Sequence, residues 1–253
     1  MAIHTYQTAL VTGASSGIGA AITRQLTARS VRVIATARRA ERLDTLAKAT
    51  GATPLILDLT DTDAIYAALE DLEVDVLINN AGLAKGFGTS FLDLDPEDIE
   101  VTAQVNTIGF AHVVRAIVPG MAARRRGHVV TIGSVAGFYP LSSPIYGATK
   151  AGVHQFSQNL RVTLRGTGVR VTEIAPGRVA TEFFEVGPTD DRIRARFRNS
   201  RITVLTADDI AQTIVFALEA PLHVNVSLLE VTPTEQAFGG VYVDPMKAPE
   251  DAA

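Results

Sequence analysis

Seven short runs rich in β-branched residues recur along the chain, with longer helical patterns between them. The runs are Thr8–Thr12, Val31–Thr36, Thr53–Leu57, Val74–Ile78, His128–Ile132, Val169–Ile174 and Val226–Val231. The helical patterns span Gly17–Arg29, Ala40–Ala49, Thr62–Leu72, Pro96–Arg124, Pro144–Leu164 and Ala207–Glu219. This alternation is the signature of βαβ units. Several runs carry apolar residues on both faces, as strands covered by helices on each side do. The expectation is an α/β fold: a Rossmann-like doubly wound parallel sheet of about seven strands with helices on both faces. The 253 residues fit a single domain, 1–253, that buries about three-quarters of its extended-chain surface. From Arg178 to Thr206 no clean period holds, which predicts a lid insertion around 178–206. The tail after Val243 carries Pro245 and Pro249 and is expected to fray.

The totals exclude several classes. A formal net charge of −4 with both signs interspersed argues against nucleic acid or anionic membrane as a partner. The absence of cysteine excludes disulfides and thiolate metal sites. The five histidines, His4, His112, His128, His154 and His223, are scattered, and none has metal-ligand spacing. The N-terminal residues lack a basic segment followed by an apolar core, and no apolar run is expected to span a membrane. A cytoplasmic protein is the expectation.

The first strand runs into Gly13-Ala14-Ser15-Ser16-Gly17-Ile18-Gly19 and then a helix. Glycines allow a tight turn and let backbone N–H groups approach a pyrophosphate at the helix N-terminus. The spacing is G-x-x-x-G-x-G rather than G-x-G-x-x-G. Gly13-Ala14-Ser15-Ser16-Gly17 also matches the nucleophile elbow of hydrolases, with Asp208 and His223 following in the right order. That alternative leaves Asn79-Asn80, Tyr146 and Lys150 without a role. In a dinucleotide fold, a carboxylate ending the second strand binds a ribose 2′-hydroxyl, whereas arginine accommodates a 2′-phosphate. Here Ala37-Arg38-Arg39 follows that strand, so NADP(H) is expected over NAD(H).

Tyr146 and Lys150 stand four residues apart, which on a helix places both on one face. An ammonium beside a phenol favours the phenolate and brings a weak acid toward working pH.

Together these features resemble the short-chain dehydrogenase/reductase family. The matching residues are Thr12–Gly19, Asn79-Asn-Ala-Gly82, Asn106, Ser134, Tyr146, Lys150, and Pro176-Gly177 with Thr181. The resemblance implies hydride transfer between nicotinamide and a carbonyl carbon. It implies a catalytic tetrad of Asn106, Ser134, Tyr146 and Lys150. Tyr146 exchanges the proton and Ser134 holds the substrate oxygen. Lys150 holds the nicotinamide ribose, and Asn106 interrupts its helix to position a water. The implied cofactor site takes in Gly13, Ser15, Ser16, Gly17, Ile18, Gly19, Arg38, Arg39, Asp58, Leu59, Asn80, Ala81, Gly82, Pro176, Gly177, Val179 and Thr181, with Tyr146 and Lys150. A homotetramer built on the Tyr146 helix, with its small residues Ala148, Ala151 and Gly152, is implied as well.

Longer stretches resemble the NADP-dependent 3-hydroxy acid dehydrogenases, among them Ile132–Pro140 and Leu205–Ala211. This implies a small hydroxy acid or its semialdehyde as substrate. A neutral or bulkier ketone or aldehyde is the alternative, and a non-catalytic dinucleotide sensor is the alternative of another class. Phe183 is followed by Phe184-Glu185-Val186 where the resemblance implies an arginine. Arg192, Arg194, Arg196, Arg198 and Arg201 crowd the lid. They read as a solvated helical face with an Asp190–Arg194 pair, the alternative being that one closes over an anionic substrate. Phe87, Phe138, Tyr139, Phe183 and Phe184 are candidate pocket walls, with a place in the core as the equal alternative for each.

Overall fold

The computed structural model describes residues 6–141, 143–188, 191–198, 202–237 and 242–243. The chain alternates strand and helix from the start. It runs through β1 (Thr8–Thr12), α1 (Gly17–Thr27), β2 (Arg32–Ala37), α2 (Ala40–Thr50), β3 (Thr53–Ile56), α3 (Thr62–Leu69) and β4 (Val76–Asn79). The second half holds α4 (Pro96–Ala103), α5 (Phe110–Ala123), β5 (Gly127–Ile132), α6 (Pro144–Leu164) and β6 (Val169–Pro176). Then come β7 (Val179–Ala180), α7 (Phe183–Val186), α8 (Asp191–Arg198), β8 (Leu205–Thr206), α9 (Ala207–Glu219) and β9 (Leu228–Val231). Seven strands form one sheet in the order β3-β2-β1-β4-β5-β6-β9, every pair parallel. This is the doubly wound sheet expected from the sequence. Its order reverses between β1 and β4, the place where such folds open a ligand crevice.

Alternate residues of the central strands go to opposite cores, which is why both faces of the runs carry apolar residues. Val11, Ile78, Val130 and Ile174 pack with Ile22 and Leu26 of α1 and Ile210 and Ile214 of α9. Leu10, Leu77, Val129 and Val171 pack with Ile65 of α3, Val113 and Ile117 of α5 and Val153 of α6. Caps set the helix starts. The Asp61 side chain accepts from Ala64 N at 2.9 Å. Asp95 accepts from Glu97 N at 2.9 Å, just ahead of Pro96. Thr206 and Asp209 cap α9 reciprocally.

The predicted helix Pro96–Arg124 is one continuous run, but it contains a π-helical turn at Gln104–Gly109. Contrary to the sequence expectation, this 28-residue run is long and apolar enough to cross a membrane, yet 56% of its apolar 18-residue window is buried inside the fold. Its apolar face serves the core. Near the two ends of the segment 178–206, β7 and β8 pair in parallel, Val179 with Leu205 and Ala180 with Thr206. The tail expected to fray lies outside the described residues.

Candidate active site

The sequence places a glycine turn at the C-terminal end of β1, and the structure shows why glycines are needed there. Gly13 and Gly17 have φ of +66° and +52°, a region that L side chains rarely adopt. A Cβ at Gly13 would come within 2.8 Å of Ala81 Cα, and one at Gly19 within 2.4 Å of Gly13 O. The turn is tied to the end of β4 by a small polar network. Thr12 Oγ1 accepts from Asn80 N and Ala81 N, both at 3.0 Å, and donates to Asn79 Oδ1 at 3.2 Å. Asn80 Nδ2 donates to Thr12 O at 2.9 Å and Gly13 O at 3.3 Å. The Asn80 amide group is therefore bound to the glycine turn itself.

A cavity of about 680 Å³ opens along this edge of the sheet. Every residue expected at the catalytic or cofactor site lines it except Gly19 and Asn106. Gly19 lies behind the turn, where the lack of a side chain permits close packing. Asn106 is buried in the π-helical turn. Its Oδ1 accepts from Leu83 N at 2.9 Å, and its Nδ2 donates to Leu83 O at 2.7 Å and Thr149 Oγ1 at 3.1 Å. It therefore staples the segment after Gly82 to α6.

One end of the cavity is basic. Arg39 donates to Ser15 Oγ (Nε 3.1 Å, Nη2 2.9 Å) and to Ser16 Oγ at 2.7 Å. Its Nη1 meets Glu182 Oε2 at 2.9 Å, and Arg42 pairs with the other oxygen of Glu182. These two guanidinium groups hold the Glu182 carboxyl below its ordinary pKa. Arg38 lies 3.7 Å from Asp58. Two arginines and two serine hydroxyls beside a positive-φ glycine cradle fit a phosphorylated dinucleotide.

At the other end Ser134, Tyr146 and Lys150 converge, all buried. Lys150 Nζ donates to Ile132 O at 2.8 Å and lies 5.8 Å from the Tyr146 ring centroid. Here the electrostatics differ from the sequence expectation. Burial pushes the Tyr146 phenol up to about 12, against a hydrogen bond with Ser134 that lowers it. Burial pulls Lys150 down to about 8, while the charge of Glu173 works the other way. Desolvation outweighs the Ser134 hydrogen bond, so the phenol is held as the neutral acid.

The walls beside Tyr146 are Leu141, Phe87, Phe183 and Phe184, with Phe87 edge-on to Tyr146 at 5.9 Å between centroids. Phe138 and Tyr139, the other two candidate walls, turn away from the cavity. Phe138 packs on His154 at 4.4 Å, and Tyr139 donates to Glu230 at 3.2 Å. The lid arginines do not line the cavity where they are described. Arg194 is fastened to its own segment, donating to Glu185 O at 3.0 Å and Pro188 O at 2.7 Å and pairing with Asp191. Its expected partner Asp190 lies outside the described residues, as do Arg201 and the side chains of Arg196 and Arg198. Lys85 and Arg178 line the cavity instead. Neither stands in a motif, so sequence reasoning missed them; it also missed Glu182 and Arg42, although Arg42 follows Arg39 by one helical turn. The hydrolase alternative fails on geometry. Ser15 is bound by Arg39, and no histidine is among the described residues lining the cavity.

The model of the short chain dehydrogenase family matches residues 7–191. The chain belongs to this family. Among curated relatives of this short-chain dehydrogenase is the NADP-dependent 3-hydroxy acid dehydrogenase YdfG of Salmonella typhi, 42% identical over 243 residues, covering 92% of this chain and 98% of the relative. The protein of that name from Escherichia coli strain K12 is 41% identical over 243 residues, with the same 92% and 98% coverage. Among solved structures, the closed form of serine dehydrogenase complexed with NADP+ superposes with a TM-score of 0.87 at 39% identity, covering 95% of this chain and 100% of that one.

Proposed function

We propose that this short-chain dehydrogenase interconverts a small hydroxy acid and its semialdehyde with NADP(H), using Asn106, Ser134, Tyr146 and Lys150. The observation that carries the reading is one continuous cavity. It runs from an arginine-lined glycine cradle to a buried serine–tyrosine–lysine cluster. The likeness to 3-hydroxy acid and serine dehydrogenases supports the substrate class.

Ser15, Ser16, Arg38 and Arg39 would hold the 2′-phosphate end, and Gly13 and Gly17 would leave room for the pyrophosphate. When bound, NADP(H) supplies or accepts the hydride. The chain's own residues handle the proton. Tyr146 donates its phenolic proton to the carbonyl oxygen during reduction, and Ser134 donates a hydrogen bond to the same oxygen as charge develops there. A phenol held at about 12 is protonated at neutral pH, the form that reduction needs. Alcohol oxidation needs the phenolate and is favoured at alkaline pH. Lys150 places a positive charge behind the phenol, and Asn106 fixes the π-helical turn beside it. Leu141, Phe87, Phe183 and Phe184 keep the reacting end dry, which strengthens these interactions.

Arg39→Ala removes the fork that spans Ser15 and Ser16. It is expected to weaken NADPH binding by about tenfold or more, one charge-assisted contact being worth about 1.5–3 kcal/mol, and to leave NADH binding nearly unchanged. Equal losses for both, read by fluorescence titration, contradict the assignment. For the substrate, NADP+ reduction at alkaline pH should proceed with L-serine, L-allo-threonine or 3-hydroxypropionate and fall away with neutral alcohols of matched size. Lys85→Met is expected to raise KM for the acids alone. Turnover only on neutral alcohols would instead support the ketone or aldehyde alternative, and no turnover on any substrate the dinucleotide sensor. A homotetramer through α6 belongs to the same reading. Ala148, Ala151 and Gly152 are exposed, and a Cβ at Gly152 would meet nothing within 4 Å, leaving room for close helix approach. Light scattering should then give a mass near four chains; a mass near one removes it.

A further inference from the structure

The polar side chains of α6 form a stripe that does not stop at the active site. Tyr146, Lys150, His154 and Gln158 recur every fourth residue, so they line one face of the helix. The third member points at a carboxylate that the mechanism above leaves unused. His154 Nδ1 lies 2.7 Å from Glu173 Oε2, and its Nε2 lies 2.7 Å from Gln158 Nε2. Phe138 packs edge-on against the same imidazole, which holds the ring in place.

Glu173 sits in the middle of β6, in a strand otherwise suited to the core, and is 0% exposed. An unpaired carboxylate in such a place costs several kcal/mol. One of its oxygens is met by His154. The other, Oε1, has no hydrogen-bond partner among the described residues. That oxygen lies against Gly133, where a Cβ would come within 2.3 Å of it. Gly133 joins Ile132, whose carbonyl accepts from Lys150 Nζ, to Ser134. The buried carboxylate is thus packed beneath the backbone corner that holds the catalytic amine and the catalytic hydroxyl.

We infer that Glu173 is a positioning residue acting through Lys150: its carboxylate is the buried counter-charge that keeps the Lys150 ammonium protonated at the active site, and His154 fixes that carboxylate in place. The inference rests on the catalytic reading of Lys150 given above. The opposing tendencies at Lys150, burial lowering its pKa and Glu173 raising it, agree with the geometry. Other ionisable groups on the surrounding elements are engaged elsewhere. His128 on β5 bonds Thr172 Oγ1 at 2.7 Å. Glu230 on β9 accepts from Tyr139, and Arg161 on α6 donates to Ser227 O at 3.1 Å. Arg170 on β6 donates to Tyr6 and to the carbonyls of Leu218, Ala220 and Val224. Tyr146, held as the neutral phenol, offers no counter-charge.

The chain has four lysines, Lys48, Lys85, Lys150 and Lys247, so the charge of Lys150 is directly readable. Full-length protein carrying a carbon-13 label at lysine Cε gives few signals, and Lys150→Arg identifies the one from Lys150. Its NMR titration midpoint in Glu173→Gln is expected about one pH unit or more below wild type, the size of a single close charge. An unchanged midpoint in the folded variant overturns the inference, because a carboxylate that only fills space leaves Lys150 unmoved. Should Glu173→Gln fail to fold, the reciprocal effect is read in wild-type protein labelled at glutamate Cδ. The carboxyl signal lost in Glu173→Asp is expected to step as Lys150 loses its proton, and no step overturns the inference. Both readouts are independent of turnover. A failure of the catalytic assignment appears elsewhere, as activity that survives loss of Tyr146.

Discussion

The hydroxyl of Thr12 joins the two halves of the molecule. It sits at the end of β1, where the sheet order reverses, and binds the backbone of Asn80 and Ala81 and the side chain of Asn79. One hydrogen-bonded group thereby fixes the separation of the two chain ends that flank the crevice. Asn79 extends the network to Phe110 O at 3.2 Å, at the start of α5. Asn106 separately joins Leu83 to Thr149. Two sets of polar contacts, some buried and some part-buried, therefore lie between the glycine turn and the helix that carries Tyr146 and Lys150. Such networks rigidify a site when every member is satisfied.

Desolvation governs the chemistry at the far end of the site. Tyr146 and Lys150 are buried together, and each is pushed toward its neutral form. The same dry environment makes each remaining charge or dipole count for more than it would in water. The carbonyl of Ile132, the hydroxyl of Ser134 and the carboxylate of Glu173 are therefore strong influences at short range. At the other end the site is wet and basic. There Arg39 and Arg42 share Glu182 on the surface, where ion pairs are weak and exchange partners readily. The two ends suit different tasks: exchangeable anion binding at one, proton chemistry at the other.

Most of this was legible in the sequence because it rests on local patterns. The β1, α6 and α9 boundaries agree with the periodicity and caps. The glycine turn, the Asn79-Asn80 segment and the Tyr146–Lys150 spacing are each short and contiguous. What was not legible depends on contacts between distant segments. Glu182 reaches Arg39 across 143 positions. Glu173 meets His154 through the packing of a strand against a helix. The upward shift at Tyr146 was not legible, because spacing reports the nearby ammonium but not the depth of burial. Whether Phe138 and Tyr139 wall the pocket was not legible, because aromatic composition does not tell which way a loop turns.

The measurement that tests the central claim most directly is turnover and NADPH binding in Tyr146→Phe. The account predicts that turnover is lost while NADPH still binds, because the phenol supplies the proton and only its hydroxyl is removed. Turnover retained in that variant contradicts it.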